Sequence, residues 1–455
     1  MSEILIKNAN ILTMDSERSV YIDGAILIKN DIIIELGKLE HFKSKINSNI
    51  KIEDVKGNWI LPGLINTHVH TSQHLARGIA DDVDLLIWLR ERIWPYESNL
   101  TEEDSYISSL LCGLEQIRSG VTCFAEAGGQ HVNGMARAIS ELGIRAALCK
   151  STMDMGEGLP QKWKKSTDEE IDAQLEIFEK WNDKADKRIK VWFGLRTIFN
   201  NSDELITRTK EIADKYKVGL HMHVAEIEAE IKFAKQTRGT STVKHLDRLG
   251  VLDENFLAVH CVWMTDEEIE IFLKYNVKVS HNPAAAMRVL GFAEVPKMID
   301  KGICVSIGTD GAPANNRMSL IDEMWLTSLI HKGRKLDPKV IPAETVLEMV
   351  TINASRCILW DQLIGSLEKN KKADLVVVDP KTSTMLPMHD PIANLVSSMR
   401  TQNVNSVMCN GKWIMKDGII LVVNEGEIIQ EAINRSKKII ERANIKIPMR
   451  FNFKH

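Results

Sequence analysis

Paired cysteines, long apolar runs and blocks of one charge are all missing from this 455-residue chain. Its seven cysteines (Cys112, Cys123, Cys149, Cys261, Cys304, Cys357 and Cys409) stand singly, with no C-x-x-C pair and an odd total. That argues against a disulfide framework and predicts reduced thiols serving as small core hydrophobes. No run approaches the ~18 apolar residues needed to span a bilayer, and the opening "MSEILIKNAN" lacks the basic stretch, apolar core and small-residue cleavage site of a secretory leader. A cytoplasmic location is expected. The formal net charge is -4 and no long basic block appears, so neither nucleic acid nor a membrane surface gains an electrostatic footprint. What is there is an ordinary globular composition, 44% hydrophobic, enough for one large domain and a smaller one.

Residues 1 to about 60 read as short strands: "ILIKNANILTMD", then "AILIKNDIIIELG" folding about Asn30 and Asp31, then "NWILPG". From Thr101 the period changes. Thr101 and Asp104 form a capping-box-like start, and Ile107, Leu110, Leu111, Leu114 and Ile117 recur at three and four residues, which predicts a helix. Apolar strands then alternate with amphipathic helices, through "VTCFAEAG", "RAALCKSTM", "IKVWFGLRT", "GLHMHVAE", "FLAVHCVW", "VKVSHNPA" and "CVSIGTDG". With the strand running into His70 these make eight, and eight such units fit a closed (β/α)₈ barrel of the TIM type better than an open sheet.

The expected organisation is therefore an α/β chain with residues 61–364 as the barrel. Residues 1–60 and 365–424 are the two parts of a small β-sandwich built from both chain ends, and 425–455 form a C-terminal helix and tail. The second β part carries the turn dipeptides Asn410-Gly411 and Asp417-Gly418. On the final helix, Ile428, Ile429, Ala432, Ile433, Ile439 and Ile440 form an apolar face that packs on its own subunit or, less favourably, on a second copy.

With 13 histidines, an H-x-H pair arises by chance about 0.4 times per chain of this length, so His68 and His70 mean little alone. Their position changes that. Residues two apart on a strand face the same way, so both point into the barrel mouth, where barrel enzymes keep their chemistry. Other strand ends add His223 and Glu226, His260, His281 and Asp310.

The segments "PGLINTHVH", "LHMHVAE", "AVHCV", "VSHNPAAAMRVLG", "IGTDGAPANN" and "KKADLVVVD" resemble the amidohydrolase superfamily. The branch is that of S-adenosylhomocysteine/methylthioadenosine deaminases, guanine deaminase and triazine hydrolases such as atrazine chlorohydrolase. The resemblance implies one divalent metal held by His68, His70, His223 and Asp310, with Zn²⁺ first and Fe²⁺ or Mn²⁺ as alternatives. A two-metal version needs a bridging lysine at the fourth strand, where this chain has Arg196. His221, also facing inward, is expected to support a ligand from behind. By the same resemblance Glu226 protonates a ring nitrogen, Asp310 moves the water proton to the departing amine, and His260 steadies the nucleophilic oxygen.

Substrate contacts are expected from Gln73, Trp88, Glu97, Arg196 and His281. Each has a blander reading: Gln73 as a loop cap, Trp88 with Trp94 as core, Glu97 as a surface carboxylate, and Arg196 as the ion-pair partner of Glu126. Arg196 stands where adenosine-type members have histidine, and its planar fork suits a carbonyl-bearing ring. The expected activity is thus hydrolytic release of ammonia from a nitrogen heterocycle, with guanine-like oxo-purines or pterins slightly ahead. Adenosine-type nucleosides and s-triazines are the alternatives. The partner expected is this small molecule, bound by a homodimer or homotetramer, with no nucleic acid and no membrane.

Overall fold

Period-two apolar runs from both ends of the chain meet in one sheet. The computed structural model describes residues 3–45, 48, 50–83, 87–447 and 451. The N-terminal strands are β1 (Glu3–Leu12), β2 (Val20–Lys29), β3 (Ile32–Lys38), β4 (Ile50–Asp54) and β5 (Trp59–Pro62). The barrel follows: β6 (Leu64–Val69), β7 (Val121–Glu126), β8 (Arg145–Leu148), β9 (Ile189–Val191), β10 (Phe193–Leu195), β11 (Leu220–Val224), β12 (Phe256–His260), β13 (Lys278–His281) and β14 (Val305–Ile307). The chain then returns with β15 (Leu375–Val378), β16 (Val404–Cys409), β17 (Lys412–Lys416) and β18 (Ile419–Ile420).

The terminal strands form a nine-stranded sheet in the order β18-β17-β16-β15-β5-β1-β2-β3, with β4 also on β1. The seam is β5 against β15, antiparallel, with Trp59 opposite Val378 and Pro62 opposite Leu375. The turn residues supply the left-handed backbone that tight hairpins need: Asn30 (φ 57), Asn410 and Gly411 (φ 51 and 72), and Asp417 and Gly418 (φ 49 and 76). At Gly411 a side chain is also sterically barred, because a Cβ would lie 2.0 Å from the Asn30 carbonyl oxygen.

All barrel neighbours pair in parallel. The fourth barrel strand is interrupted at Trp192, so β9 pairs with β8 while β10 pairs with β11. Counted as one, β9 and β10 complete the expected eight. The ring closes between β14 and β6, where the His68 carbonyl accepts the N–H groups of Thr309 (3.0 Å) and Asp310 (2.9 Å).

The helix Glu102–Arg118 begins as the sequence predicts, with Asp104 N–H donating to Thr101 Oγ1 (3.2 Å) and Thr101 N–H donating to Asp104 Oδ2 (2.9 Å). Asp104 has a second role, because Arg435 and Arg442 of the C-terminal helix Glu425–Arg442 bind its carboxylate. That helix buries Ile428, Ala432 and Ile439, while Ile429 and Ile433 stay about half exposed, so only part of its apolar face is used here. The tail at 448–450 and 452–455 lies outside the described residues. Barrel and sheet are joined by a buried ion pair, Arg145 with Asp374, at 2.6 Å. Among the described residues no helix is long and apolar enough to cross a membrane.

Candidate active site

The carboxyl ends of β6, β11, β12 and the segment after β14 bring five donors to one point. His68, His70 and Asp310 offer ligand atoms within 4.8 Å of one another, and so do His68, His223 and His260. His70 Nε2 lies 3.3 Å from His223 Nε2, and Asp310 Oδ1 lies 3.5 Å from His68 Nε2 and 3.6 Å from His70 Nε2. The close approach of strands needed for this has a local cause. A Cβ on Gly308 would stand 2.8 Å from His68 N and 2.4 Å from Asn282 Oδ1, so only glycine fits between them.

Second partners fix how each ring presents itself. His223 Nδ1 donates to the Arg196 carbonyl oxygen at 2.9 Å, which leaves Nε2 as a lone-pair donor facing the cluster. His68 Nδ1 meets His221 Nε2 at 3.1 Å, while His68 Nε2 is buried with no hydrogen-bond partner. His221 thus stands behind a ligand position, as expected. Burial, with the neighbouring imidazoles and Arg196, pushes His70 and His223 well below the usual imidazole range, so both rings are neutral. Burial would raise the Asp310 carboxyl, but the His68, His260 and His70 rings hold it well below the usual carboxylate range.

This donor set fits a divalent cation: an orphaned buried imidazole nitrogen, two more neutral imidazoles and an ionised carboxylate face one another, with no lysine among them.

Glu226 stands at the rim, 3.8 Å from His260 Nε2. Burial, then the Asp310 and Glu230 carboxylates, push its carboxyl up to about 8. Asn282 Nδ2 donates to His260 Nδ1 at 3.1 Å, so the His260 proton sits on Nε2, toward Glu226. Glu230 receives the N–H groups of Ala225 and Glu226, both at 2.8 Å, and holds the strand end that carries Glu226.

A cavity of about 380 Å³ opens beside this cluster, walled by Trp88, Trp94, Phe199 and Phe233, with Gln73 and Arg196 on its rim. Trp88 also borders a second cavity of about 660 Å³ that shares Glu226 and Asp310. Gln73 Nε2 donates to Glu97 Oε1 at 2.7 Å, and Arg196 approaches Glu97 Oε2 at 3.8 Å. Glu97 is therefore a buried carboxylate behind Gln73 and Arg196, not a surface one, and is not itself among the residues lining either cavity.

Arg196 does not pair with Glu126, because Glu97 is its carboxylate; Glu126 instead accepts from Thr71 N–H at 2.9 Å and from Thr71 Oγ1 at 2.5 Å. His281 is not among the cavity-lining residues, and its ring is turned to His331, Nε2 to Nε2 at 3.3 Å. Its place on β13 is right for the rim, but the side chain of that strand end that reaches the site is the next one, Asn282.

Residues 59–414 match the model of the Amidohydrolase family. The chain belongs to the amidohydrolase family. It is 38% identical to 5′-deoxyadenosine deaminase of Methanobrevibacter smithii, over 94% of this chain and 96% of that protein. It is 35% identical to 5-methylthioadenosine/S-adenosylhomocysteine deaminase of Thermoanaerobacter pseudethanolicus, over 96% and 100%. Among solved structures, a zinc-bound adenosine deaminase from Xanthomonas campestris superposes with a TM-score of 0.92 at 25% identity, covering 97% of this chain and 99% of that one. This amidohydrolase is accordingly a deaminase, acting on C–N bonds of cyclic amidines.

Sequence reasoning did not assign Asn282, Glu230 or the Thr71–Glu126 contact. Asn282 was legible only as the neighbour of His281, and Glu230 only as an acidic residue in the first turn of helix Glu228–Arg238.

Proposed function

We propose that this amidohydrolase is a Zn²⁺-dependent deaminase of adenosine-type nucleosides altered at the 5′ position. The class covers 5′-deoxyadenosine, 5′-methylthioadenosine and S-adenosylhomocysteine. The observation that carries the reading is near-full-length similarity, at 38% and 35% identity, to deaminases of those nucleosides. It moves guanine-like bases, which Arg196 had favoured, to second place. The geometry supports the same order, since the Arg196 fork faces the Glu97 carboxylate and is less free to grip a ring carbonyl. Gln73 lines the cavity with its amide oriented by Glu97 behind it and offers polar groups suited to ribose hydroxyls.

His68, His70, His223 and Asp310 would hold the ion, Zn²⁺ by donor type, with Fe²⁺ or Mn²⁺ competing by availability. When bound, it supplies the Lewis acidity that makes water deprotonation accessible near neutral pH. Glu226 arrives protonated and gives its proton to the ring nitrogen beside the amino-bearing carbon, which makes that carbon electrophilic. Asp310, ionised, takes one proton of the attacking water and returns it to the amine, which leaves as ammonia, and the remaining hydroxyl proton passes to Glu226, restoring its carboxylic acid and leaving a ring carbonyl. His260 Nε2–H hydrogen-bonds the oxygen as it adds, with Asn282 holding its tautomer. Phe199, Phe233 and Trp94 keep bulk water from the ring.

The test is ammonia release by zinc-loaded enzyme across 5′-deoxyadenosine, 5′-methylthioadenosine, S-adenosylhomocysteine, adenosine, guanine, a pterin and melamine. The nucleosides are expected to exceed guanine in kcat/KM by about 10²-fold or more, in line with sites built around polar substrate groups. Guanine or pterin ahead of the nucleosides would restore the earlier order, and chloride release from atrazine without ammonia from any nucleoside would favour the triazine reading.

A further inference from the structure

At the end of β14 opposite Asp310, the structure sets one cysteine apart from the other six. Cys112, Cys123, Cys149, Cys261, Cys357 and Cys409 are buried, whereas Cys304 is partly exposed. Cys304 immediately precedes β14, and it lies on the wall of an open cavity of about 590 Å³ together with Lys278 and Arg356. Its Sγ is 3.8 Å from Sγ of Cys357, the last residue of helix Ile352–Cys357. A partly exposed cysteine touching a buried one, on a cavity wall that carries Lys278 and Arg356 as well as Glu254 and Asp361, is the arrangement of an attacking and a resolving cysteine.

We propose that Cys304 and Cys357 form a reactive dithiol site that exchanges with small disulfides and closes to an intramolecular disulfide. The Cys304 thiolate attacks one sulfur of a disulfide RSSR, whose S–S bond breaks and releases RS⁻. Cys357 then gives up its proton, and its sulfur attacks the Cys304 sulfur of the mixed disulfide, releasing the second RS⁻. Two protein thiols are oxidised and one RSSR is reduced to two thiols, so no further oxidant is needed.

The ionisation of the two groups agrees in direction. A hydrogen bond with Cys357, together with Lys278 and Arg356, holds the Cys304 thiol below its usual value, although burial and Asp361 oppose this. Burial pushes Cys357 well above it. The low-pKa partner attacks, and the shielded one waits for a mixed disulfide to form beside it.

The probe is 5,5′-dithiobis(2-nitrobenzoic acid) added to the native, metal-loaded protein. Two nitrothiobenzoate ions are expected per chain, with no retained adduct and a Cys304–Cys357 cross-linked peptide in the digest. With Cys357→Ser, or Cys357→Ala should serine not fold, a single ion is released and the adduct stays on Cys304. With Cys304→Ser the native release disappears. The proposal is overturned if wild-type protein releases nothing while folded, keeps a stable adduct on Cys304, or is labelled at another cysteine. Because peptide mapping of the wild type already separates these outcomes, the inference does not depend on the variants.

Discussion

The Glu226 carboxyl is pushed up to about 8, while that of Asp310, on the same rim, is held well below the usual carboxylate range. Burial pushes both carboxyls upward, but Asp310 has three imidazoles around it and Glu226 has two other carboxylates. Two carboxyls split in this way can act as acid and base in one reaction. Glu226→Gln is expected to keep metal content unchanged while turnover falls by about 10²–10⁴-fold, measured by metal analysis beside steady-state rates. The pH dependence follows from the sign of the shift. Because the protonated form is the competent one, the rate falls as pH rises through the Glu226 value of about 8, and a bound cation would move that limb lower. That His68, His70, His223 and Asp310 gather at one rim was legible in the sequence because a strand's period of two and a strand's end are local facts, whereas their part as metal ligands came only from the family resemblance. Contacts such as Arg196 with Glu97, or Asn282 with His260, join residues from different strands and excursions. No local pattern encodes them, so Glu126 was a reasonable but incorrect partner for Arg196.

Among the elements, helices with capping boxes were the most legible, since their start signals lie within four residues. Thr101→Ala removes the cap of Glu102–Arg118 and is expected to cost about 1 kcal/mol, read as a lower urea midpoint at unchanged slope. The eight-strand alternation was legible for the same reason. The interruption at Trp192 was not, because it depends on a distant neighbour: a Cβ at Gly219 would fall 2.3 Å from the indole, so this ring lies against bare backbone. The C-terminal helix shows the opposite limit. Its apolar stripe could be read from the sequence, but which isoleucines find a partner depends on Asp104 drawing Arg435 and Arg442 to the preceding helix layer.

For the whole molecule, the joint between barrel and sheet is electrostatic as well as apolar. Asp374 receives Arg145 Nε at 2.6 Å and the Asn410 N–H at 2.7 Å, all of it buried. Asp374→Asn leaves the guanidinium without its counter-charge and is expected to cost about 3–5 kcal/mol of unfolding free energy, measured by denaturant titration. The β5–β15 seam has a consequence for biosynthesis. Residues 59–62 emerge from the ribosome more than 300 positions before the residues 375–378 that pair with them. At ~5–20 residues per second the delay is roughly 15–60 seconds, during which one flank of the early strands is an open template for other nascent chains. Codon pauses inside the barrel lengthen that window, so introducing them without changing the amino-acid sequence is expected to lower soluble yield, read by expression of synonymous genes.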